Sequence, residues 1–548
     1  MHYKKLSLVL ILFLSLSMLS STIILTTNAG IKPIESPVYD NTLNLKTSTT
    51  FNITISINDL PGSLNNWTWA KAQGYCTGSG TTGDPYLINN HLFKSTFGYC
   101  LEIFHSRKHF RVLNCDFMIS IGLVGAIFLF NTTNGLIEDN QMPYFTFGID
   151  INNCTDITLR DNNCSLGTFG FLIQNSKDLS FISNDVEKNF VDGFALDNCE
   201  DCTIRDNSII ENGDNGVEIL TCNKIAVDGN IIINNTNGIF NAVSNETIIT
   251  DNLIDYDKDV GIFLGLSYDC VISGNNIYKC ISYGIEFGSS VDNSISSNTI
   301  EGCDIGIYFH TNSISNSITS NTATRNLNDG IRLNNCDECI IENNYVHHNG
   351  INGIFLTTGC QYNIIKSNTA NYNNWSGIYH FNNDDNLITK NTANFNEEYG
   401  IFLDSCNDHA VTENVANSNG FSGIFLEGSN DHSVTGNVAD SNGFSGIYLE
   451  GSNDNFIAYN TANNNNHGIY LDTSNNNIIA YNTLLNNLVC YNETGSIGNI
   501  FEGNICVAPP SEMDPFILGL IIGLVIGFGA FGIAIAATIF IRKKKRKE

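Results

Sequence analysis

Positive charge is scarce in this sequence. Its 548 residues carry 26 Lys and Arg against 55 Asp and Glu, which gives a formal net charge of −29. Six of the basic residues form a single cluster from Arg542 to Lys547, so the remainder of the chain is more acidic still. Binding of nucleic acid or of anionic lipid needs clustered Lys and Arg. The scarcity excludes a general nucleic-acid binder and argues against docking of the main part of the chain on an anionic membrane.

Helix-forming patterns are also scarce. The chain has 8 Pro and 47 Gly together with abundant Asn, a composition that favours turns over helices. No repeat unit contains ten residues of helical periodicity, so there is no room for one helix per unit. The leucine-rich pattern L-x-x-L-x-L and the calcium-binding nonapeptide G-G-x-G-x-D are absent as well, which excludes those two repeat classes.

The two ends of the sequence predict the location of the protein. Residues 1–29 have the pattern of a signal peptide, either cleaved or kept as a signal anchor. Residues 516–541 form an uninterrupted apolar run that is long enough to cross a bilayer, and residues 542–548 form the basic tail that the positive-inside rule assigns to the cytoplasm. We therefore expect a single-pass protein of the cell membrane, with residues 508–515 as a stalk and the bulk of the chain outside the cell. Three glycines of the run have the spacing that allows two such helices to pack as a homodimer: Gly519, Gly523 and Gly527.

The cysteines and the glycosylation motifs fit an exterior location. Seventeen Cys is an odd number, so at least one is unpaired. The pairs that stacking would bring into bonding range are Cys490/Cys506, Cys280/Cys303 and Cys199/Cys222. The alternative is a buried ladder of small side chains, which we consider for Cys154, Cys199, Cys222, Cys336 and Cys406. Nine Asn residues head an N-x-[ST] motif and predict a glycoprotein: Asn52, Asn66, Asn131, Asn153, Asn163, Asn234, Asn245, Asn374 and Asn492.

One repeat accounts for most of the chain. A glycine followed by an apolar residue recurs every 22, 23 or 24 residues at Gly148, Gly170, Gly193, Gly216, Gly238, Gly261, Gly284, Gly306, Gly330, Gly353, Gly377, Gly400, Gly423, Gly446 and Gly468. An asparagine recurs in the same phase, from Asn140 through Asn298 to Asn504. A period of this length predicts a stacked repeat architecture.

Each repeat unit holds three short apolar segments separated by Asn, Asp, Gly and Ser. Three strands per coil of 22–24 residues predict an all-β fold, a right-handed parallel β-helix over residues 87–507. The in-phase asparagines then lie in turns, where stacked amides can bond one another and the backbone. Open ends of such a rod need covers, and we assign residues 30–86 to an N-terminal cap that contains Trp67 and Trp69.

The G-I-x-[FL] and [IV]-x-x-N units resemble those of the parallel β-helix repeat proteins, including the NosD-like periplasmic proteins and the broader carbohydrate-binding and sugar-hydrolase β-helix group. The segment from Gly78 to Ile88 resembles the lead-in to the first coil in many extracellular members. The resemblance covers roughly residues 75–507 and implies the fold, while its implications for activity are weak because function resides in sites placed on a fold. A NosD-like protein would be a copper accessory protein.

The residues two and four positions after each repeat glycine are expected to face outward. The first of these positions forms a file rich in aromatic residues, and acidic residues follow it in the last coils. Aromatic and acidic side chains together suit a polysaccharide, and stacked carboxylates are also suited to Ca²⁺. The candidate ligand-binding residues are Phe402, Phe425, Tyr448, Tyr470, Asp404, Glu427, Glu450 and Asp472.

The sequence leaves other functions open. A lyase or epimerase is one alternative, because a Tyr, a His and an Arg can move a proton beside a uronate, and the candidate catalytic residues are Glu286, Tyr308, His310 and Arg332. A hydrolase is another alternative, because Glu427 and Glu450 have the separation of its carboxylate pair. The D-P-H-D run of β-helix epimerases is absent, which weakens the epimerase alternative. His409 and His432, one coil apart, are candidate metal ligands. The leading interpretation is a cell-surface β-helix that binds polysaccharide or another surface partner, and a structural or adhesive rod is the third possibility.

Overall fold

The chain folds into a rod of stacked coils. The computed structural model describes residues 49–95, 97–119 and 124–507. Over this range the protein is an all-β, right-handed parallel β-solenoid of about 18 turns. Each strand pairs in parallel with the strand one coil before it and one coil after it, so that Phe425 lies opposite Tyr448. The parallel β-helix predicted from the repeat is confirmed.

Three sheets run along the rod. The first sheet consists of Ile55–Asn58, Gly98–Phe104, Val124–Phe130, Phe147–Asn152, Phe169–Gln174, Phe194–Asp197, Asn215–Leu220, Asn237–Ala242, Ile262–Gly265, Tyr283–Gly288, Ile305–His310, Ile331–Asn334, Ile354–Leu356, Ser376–Phe381, Tyr399–Asp404, Ile424–Glu427, Ser445–Glu450, His467–Asp472 and Val489–Thr494. The second sheet consists of Tyr86–Asn89, Phe110–Leu113, Thr133–Glu138, Thr155–Arg160, Lys177–Ile182, Thr203–Arg205, Ala226–Asp228, Ile248–Thr250, Val271–Ser273, Ser294–Ser296, Ser317–Thr319, Ile340–Glu342, Ile364–Lys366, Leu387–Thr389, Ala410–Thr412, Ser433–Thr435, Phe456–Ala458, Ile478–Ala480 and Ile500–Glu502.

The third sheet is interrupted and is built from shorter strands. They are Thr49–Phe51, His91–Ser95, Asp116–Ile119, Asp185–Glu187, Ser208–Ile210, Ile231–Ile233, Leu253–Asp255, Asn276–Tyr278, Thr299–Glu301, Thr322–Thr324, Tyr345–His347, Thr369–Asn371, Thr483–Leu485 and Ile505–Val507. Single-residue bridges continue the pairing through the two interruptions. All three sheets therefore advance by one strand, or one bridge, per coil.

The repeat glycine allows the coils to approach closely. In the coil from Gly423, Ile424 and Leu426 are fully buried and form part of the core. A Cβ atom at Gly423 would lie 2.7 Å from the carbonyl oxygen of Ala416 and 2.8 Å from the Cβ of Ala439. Both distances are shorter than real contacts, so only glycine fits there.

The in-phase asparagines form a ladder inside the rod. Asn298 is representative: its Nδ2 donates to the Oδ1 of Asn321 at 3.0 Å and to the backbone oxygen of Ile272 at 2.9 Å. Its backbone N–H also donates to the Oδ1 of Asn321, at 3.0 Å. The side chain is 1% exposed. The prediction that these amides bond one another and the backbone is confirmed.

The cysteines form one disulfide and a buried ladder. Cys490 and Cys506 are bonded in the last coil, as the sequence predicted. The other 15 cysteines are unpaired and buried. The backbone N–H of Cys199 donates to the Sγ of Cys222 at 3.3 Å, and serine hydroxyls fill the same position in neighbouring coils. Cys199 and Cys222 thus form the ladder and not a disulfide. The disulfide predicted for Cys280/Cys303 is wrong, because both cysteines are unpaired.

The N-terminal end of the rod is covered. Helix α1 (Trp67–Ala72) is capped by Asn66, which accepts from the backbone N–H of Trp69 at 3.1 Å. Trp67 is 1% exposed, stacks on Tyr86 at 4.6 Å, and donates from Nε1 to the hydroxyl of Ser106 at 2.8 Å. Strand pairing begins within the region assigned to the cap, because Ile55–Asn58 already pairs with the first sheet.

The segments assigned to membrane insertion lie outside the described residues. These are the signal segment at 1–29, the stalk at 508–515, the apolar run at 516–541, its glycines and the basic tail. Within the described part of the chain, no helix is long and apolar enough to cross a bilayer.

Candidate functional site

The outer face of the first sheet carries one side chain per coil at the position two residues after each repeat glycine. In six consecutive coils these side chains are rings that stack on one another, here called the aromatic stack: Phe355, Tyr379, Phe402, Phe425, Tyr448 and Tyr470. Centroids of neighbouring rings lie 4.6 to 5.1 Å apart, and the interplanar angles are 5 to 14°. The stack forms a hydrophobic cluster separate from the core, so its rings lie on the outer surface of the sheet.

The rings of the aromatic stack cover one another. Phe402 and Phe425 are each only 4% exposed, and Trp375, Tyr399 and Phe444 pack against the stack from the side. A sugar stacks on a free ring face, and inside this column both faces of each ring already contact other rings. The stack therefore stabilises the sheet, and it offers a ligand mainly ring edges and tyrosine hydroxyl groups.

A column of four carboxylates runs beside the aromatic stack, here called the acidic column: Asp404, Glu427, Glu450 and Asp472. They stand directly opposite one another on consecutive coils, which are about 4.8 Å apart. The hydroxyl of Tyr379 donates to Asp404 at 3.1 Å, and that of Tyr448 donates to Glu450 at 2.8 Å. The tyrosines thus orient two of the four carboxylates.

Crowding of like charges changes the acidity of this region. Burial, together with the neighbouring charges of Asp404 and Glu450, raises the pKa of the Glu427 carboxyl above its ordinary value. Burial and the nearby carboxylates raise the pKa of Tyr399 to about 12. Glu427 therefore takes up a proton at a higher pH than an isolated glutamate does.

The structure brings together three of the four candidate catalytic residues. The Nε2 atom of His310 and the Oε1 atom of Glu286 are 3.0 Å apart, and the rings of Tyr308 and His310 stack at 5.1 Å. Arg332 is adjacent in the sheet but contacts other groups: its Nε lies 3.2 Å from the Oδ2 of Asp329, and its guanidinium covers the ring of Phe355 at 4.9 Å. Arg332 thus covers the N-terminal end of the aromatic stack.

The two candidate metal-binding histidines lie inside the rod. His409 and His432 are each 1% exposed and take the place of asparagines in a turn ladder. The Nδ1 of His432 accepts from the backbone N–H of His409 at 2.9 Å, and the two nitrogens of His409 bond the N–H of Asn386 and the side chain of Asn383. A metal bound by both rings would have to displace these bonds. In the described residues no group of three or more His, Cys, Asp or Glu is placed to hold a metal ion.

Sequence reasoning missed a second acidic cluster on the same sheet. Burial raises the pKa of Asp192 to about 7, and burial together with Asp192 and Asp214 raises the pKa of Glu218 to about 8. Glu218 stands opposite Phe240, two residues after Gly216, in the same outward file. The signal that could have found it is the repeat register, because Glu218 follows Gly216 by two residues as Phe425 follows Gly423.

A groove lies near the N-terminal end, on the second sheet. Its volume is about 540 Å³, and it is bounded by the loop at Thr82 and by His109, Arg111 and Arg160. Both arginines are held by Glu138, which Arg111 contacts at 2.8 Å. The groove is lined by residues of the first coils, whereas the acidic column lies in the last coils.

Comparison with solved structures gives several partial likenesses at low sequence identity. The chain resembles the Dettilon tailspike protein (16% identity, TM-score 0.32, covering 55% of this chain and 58% of the tailspike). It also resembles the periplasmic alginate epimerase AlgG (13% identity, TM-score 0.29, 72% and 77% covered) and the A-module of the Azotobacter vinelandii mannuronan C-5 epimerase AlgE4 (13% identity, TM-score 0.32, 69% and 97% covered). The chain thus spans little more than half of the tailspike's length. No curated protein sequence matches it.

Comparison with family models gives a single family. The model described as periplasmic copper-binding protein (NosD) matches residues 109–264, 192–329, 262–398, 317–422 and 376–507, which overlap to cover the solenoid from its early coils to its last. Because these matches span most of the sequence, the chain belongs to the NosD family of parallel β-helix proteins.

Proposed function

We propose that this protein is a cell-surface β-helix that binds polysaccharide through the acidic column and the tyrosine hydroxyls beside it. The observation that carries the proposal is the register of four carboxylates on four successive coils. A regular column of acceptors at one-coil spacing suits a ligand that is itself a regular chain of hydroxyl-bearing units. Charged acceptors form stronger hydrogen bonds than neutral ones, so each carboxylate contributes appreciably.

Tyr379 and Tyr448 fix the positions of two carboxylates of the acidic column. Because Tyr379 and Tyr448 hold Asp404 and Glu450, those carboxylates lose little conformational entropy when a hydroxyl binds them. Glu427, between them, has a raised pKa since it is partly buried between like charges, and a bound Ca²⁺ ion would relieve that repulsion.

The test measures binding of the purified chain to an array of glycans, with and without Ca²⁺. Glu427→Gln with Glu450→Gln removes two central acceptors, and we expect binding to weaken by at least about tenfold. We also expect binding of the unaltered protein to decrease as the pH falls through the raised pKa of Glu427, because the carboxylate is the acceptor.

A matched control removes equal charge elsewhere. Glu397→Gln with Glu413→Gln changes two exposed acids outside the acidic column and is expected to leave binding unchanged. Equal loss in both double variants, or glycan binding that neither affects, would contradict the proposal. If no glycan binds the unaltered chain, the binding proposal is refuted, and a structural or adhesive rod and the enzyme considered next are the functions left to test.

A second candidate function is carbohydrate lyase or epimerase activity at the pair formed by His310 and Glu286. The observation that favours it is the 3.0 Å contact between them beside the Tyr308 ring, an arrangement able to pass a proton to and from a substrate. Incubation with uronate polymers tests it, by detecting unsaturated products or epimerised sugars. Activity that survives Tyr308→Phe combined with His310→Ala would exclude this site.

Copper chemistry receives no role in this proposal. The description of the family names copper binding, and a copper site needs clustered His, Cys or Met side chains. In the described part of the chain the imidazoles of His409 and His432 are committed to the turn ladder, and no metal-binding cluster is present. The residues described here do not fit a copper site, so we assign no step to copper.

A further inference from the structure

The two ends of the described rod differ in how they are capped. The N-terminal coil is covered by helix α1, whose Trp67 is buried. The last coil pairs only backward, through Val489–Thr494, Ile500–Glu502 and Ile505–Val507, and no further described strand pairs with it. Open sheet ends are normally covered in native proteins, so the exposed end requires an explanation.

The last coil also exposes an unusual amount of apolar surface. Its exposed apolar side chains, here called the terminal collar, are Leu488 (70% exposed), Val489 (41%), Tyr491 (44%), Ile497 (73%), Ile500 (55%), Ile505 (57%) and Val507 (55%). Every sheet of the last coil contributes at least one of them. Exposed apolar side chains gathered in one coil in this way are typical of a contact with another apolar phase or partner.

In the sequence, the terminal collar is followed closely by the long apolar run. Only eight residues, 508–515, separate Val507 from the apolar run at 516–541. Fully extended, eight residues reach at most about 28 Å. If the apolar run enters a bilayer, as its length and basic flank predict, the terminal collar is held within that distance of the lipid surface.

The chemistry of the last coils suits a lipid interface. Tyr459 and Tyr481, in the two preceding coils, are 62% and 48% exposed and stack on each other at 5.3 Å. Tyrosine is enriched where proteins meet the headgroup region, because its ring is apolar and its hydroxyl is polar. Residues 486–507 contain no Lys or Arg and include Glu493 and Glu502, so any attraction is apolar and not electrostatic.

We propose that the terminal collar docks on the surface of a lipid bilayer, so that the rod stands on the membrane with its last coil seated among the headgroups. The bilayer then covers the open end in the way that helix α1 covers the other. The Cys490–Cys506 disulfide keeps the last coil closed at the point where it meets the lipid.

The experiment uses the full chain reconstituted in phosphatidylcholine vesicles. Ile497→Trp and Ile505→Trp each place a fluorescent reporter in the terminal collar, and Leu64→Trp places one at the opposite end, where Leu64 is 91% exposed. Tryptophan emission is compared in ordinary and brominated phosphatidylcholine. Since interfacial groups lie within about 5–10 Å of the acyl boundary, we expect the added emission of both collar reporters to fall by roughly half in brominated lipid. The Leu64→Trp signal and the native tryptophans should not change.

The other possible covers give different results. Collar reporters that stay solvent-exposed and unquenched would overturn the proposal. Blue-shifted emission without bromine quenching would also overturn it, and would indicate instead that residues 508–541 or a second copy of the chain covers the end. Flotation of the vesicles tests anchoring separately, and a chain that does not float refutes the proposal at its first step. Ile497→Ser with Ile505→Ser, which leaves every core residue in place, should restore fast hydrogen exchange in residues 486–507 of the vesicle-bound chain, and an unchanged exchange pattern would contradict docking.

Discussion

Three histidines inside the rod are the most unusual individual residues of this protein. His380 takes a core position between Leu356 and Leu403 and is fully buried, and its ring lies 5.1 Å from that of His409. Its Nδ1 bonds Asn383 at 3.0 Å, while its Nε2 has no partner. Burial lowers the pKa of His380 to about 4 and that of His432 to about 3, and it places the pKa of His409 well below its ordinary value. All three are therefore neutral in the folded protein at neutral pH.

These lowered pKa values predict a loss of stability in acid. Below about pH 6.5 the unfolded chain binds protons on histidine while folded His380 stays neutral until about pH 4, so protons favour the unfolded state across this window. For His380 alone we expect the free energy of unfolding to decrease by about 3 kcal/mol between these pH values. Thermal unfolding of His380→Leu should lose part of this pH dependence, and the exposed control His348→Gln should retain it. A His380→Leu profile parallel to that of the unaltered protein would contradict the burial argument.

At the residue level the sequence predicted positions better than contacts. The outward position of Phe425 and Glu427 follows from their spacing after Gly423, and that spacing is visible in the chain. That Phe425 packs between Phe402 and Tyr448 depends on side-chain rotamers, which spacing does not encode. The burial of His409 could have been foreseen, because it occupies an asparagine position of the repeat register.

At the level of structural elements, the asparagine ladder binds neighbouring coils to each other. Asn391 donates from Nδ2 to Asn414 at 3.0 Å and to the carbonyl of Ile365 at 2.8 Å, and its Oδ1 accepts two bonds from Asn368. Each amide thereby satisfies two buried backbone groups of the preceding coil and also bonds the amide of the next coil. A buried group left without its partner costs about 1–3 kcal/mol.

Asn391→Ala is therefore expected to destabilise the protein more than any surface change. Two donors of Asn368 and the carbonyl of Ile365 lose their partner, and we expect a decrease of about 3 kcal/mol in the free energy of unfolding. Denaturant unfolding monitored by circular dichroism measures it. Asn374→Ala, an exposed asparagine of the adjoining coil, is the control and should change stability by less than about 0.5 kcal/mol. Equal effects of the two substitutions would show that the ladder contributes little.

For the whole molecule, stacking makes stability local. Each coil contacts mainly its two neighbours, so a solenoid is able to open from an end without unfolding throughout. The N-terminal end is covered by helix α1, and the last coil is held by the Cys490–Cys506 bond. Away from lipid and with that bond removed, opening is expected to begin at the C-terminal coil.

Removal of that disulfide should release the last coil alone. For Cys490→Ser with Cys506→Ser we expect hydrogen exchange to become fast in residues 489–507, with a local loss of about 3 kcal/mol for a loop of this size, and earlier coils to stay protected. Cys199→Ser is the control, because serine already fills that ladder position in Ser176 and Ser244. Protection lost along the whole rod in the double variant would refute local opening.

At this scale the sequence predicted the architecture almost completely. Period, strand number and the Cys490–Cys506 bond follow from a repeat in which Gly423 and its counterparts mark every coil. The interruptions of the third sheet were not predicted, because the repeat continues through the coils in which single bridges replace strands.

The ladders also govern how the length of such a molecule can change. Each coil presents the same amide, glycine and apolar segments to the coil before it and to the coil after it. A duplicated coil could therefore form the same interactions on both sides. The matching segments that begin at Gly423 and Gly446 have the appearance of such a duplication. Insertion of one unit of about 23 residues would move everything beyond it outward by about 4.8 Å and leave the existing interactions intact. The length of the rod is therefore the dimension that can change most easily.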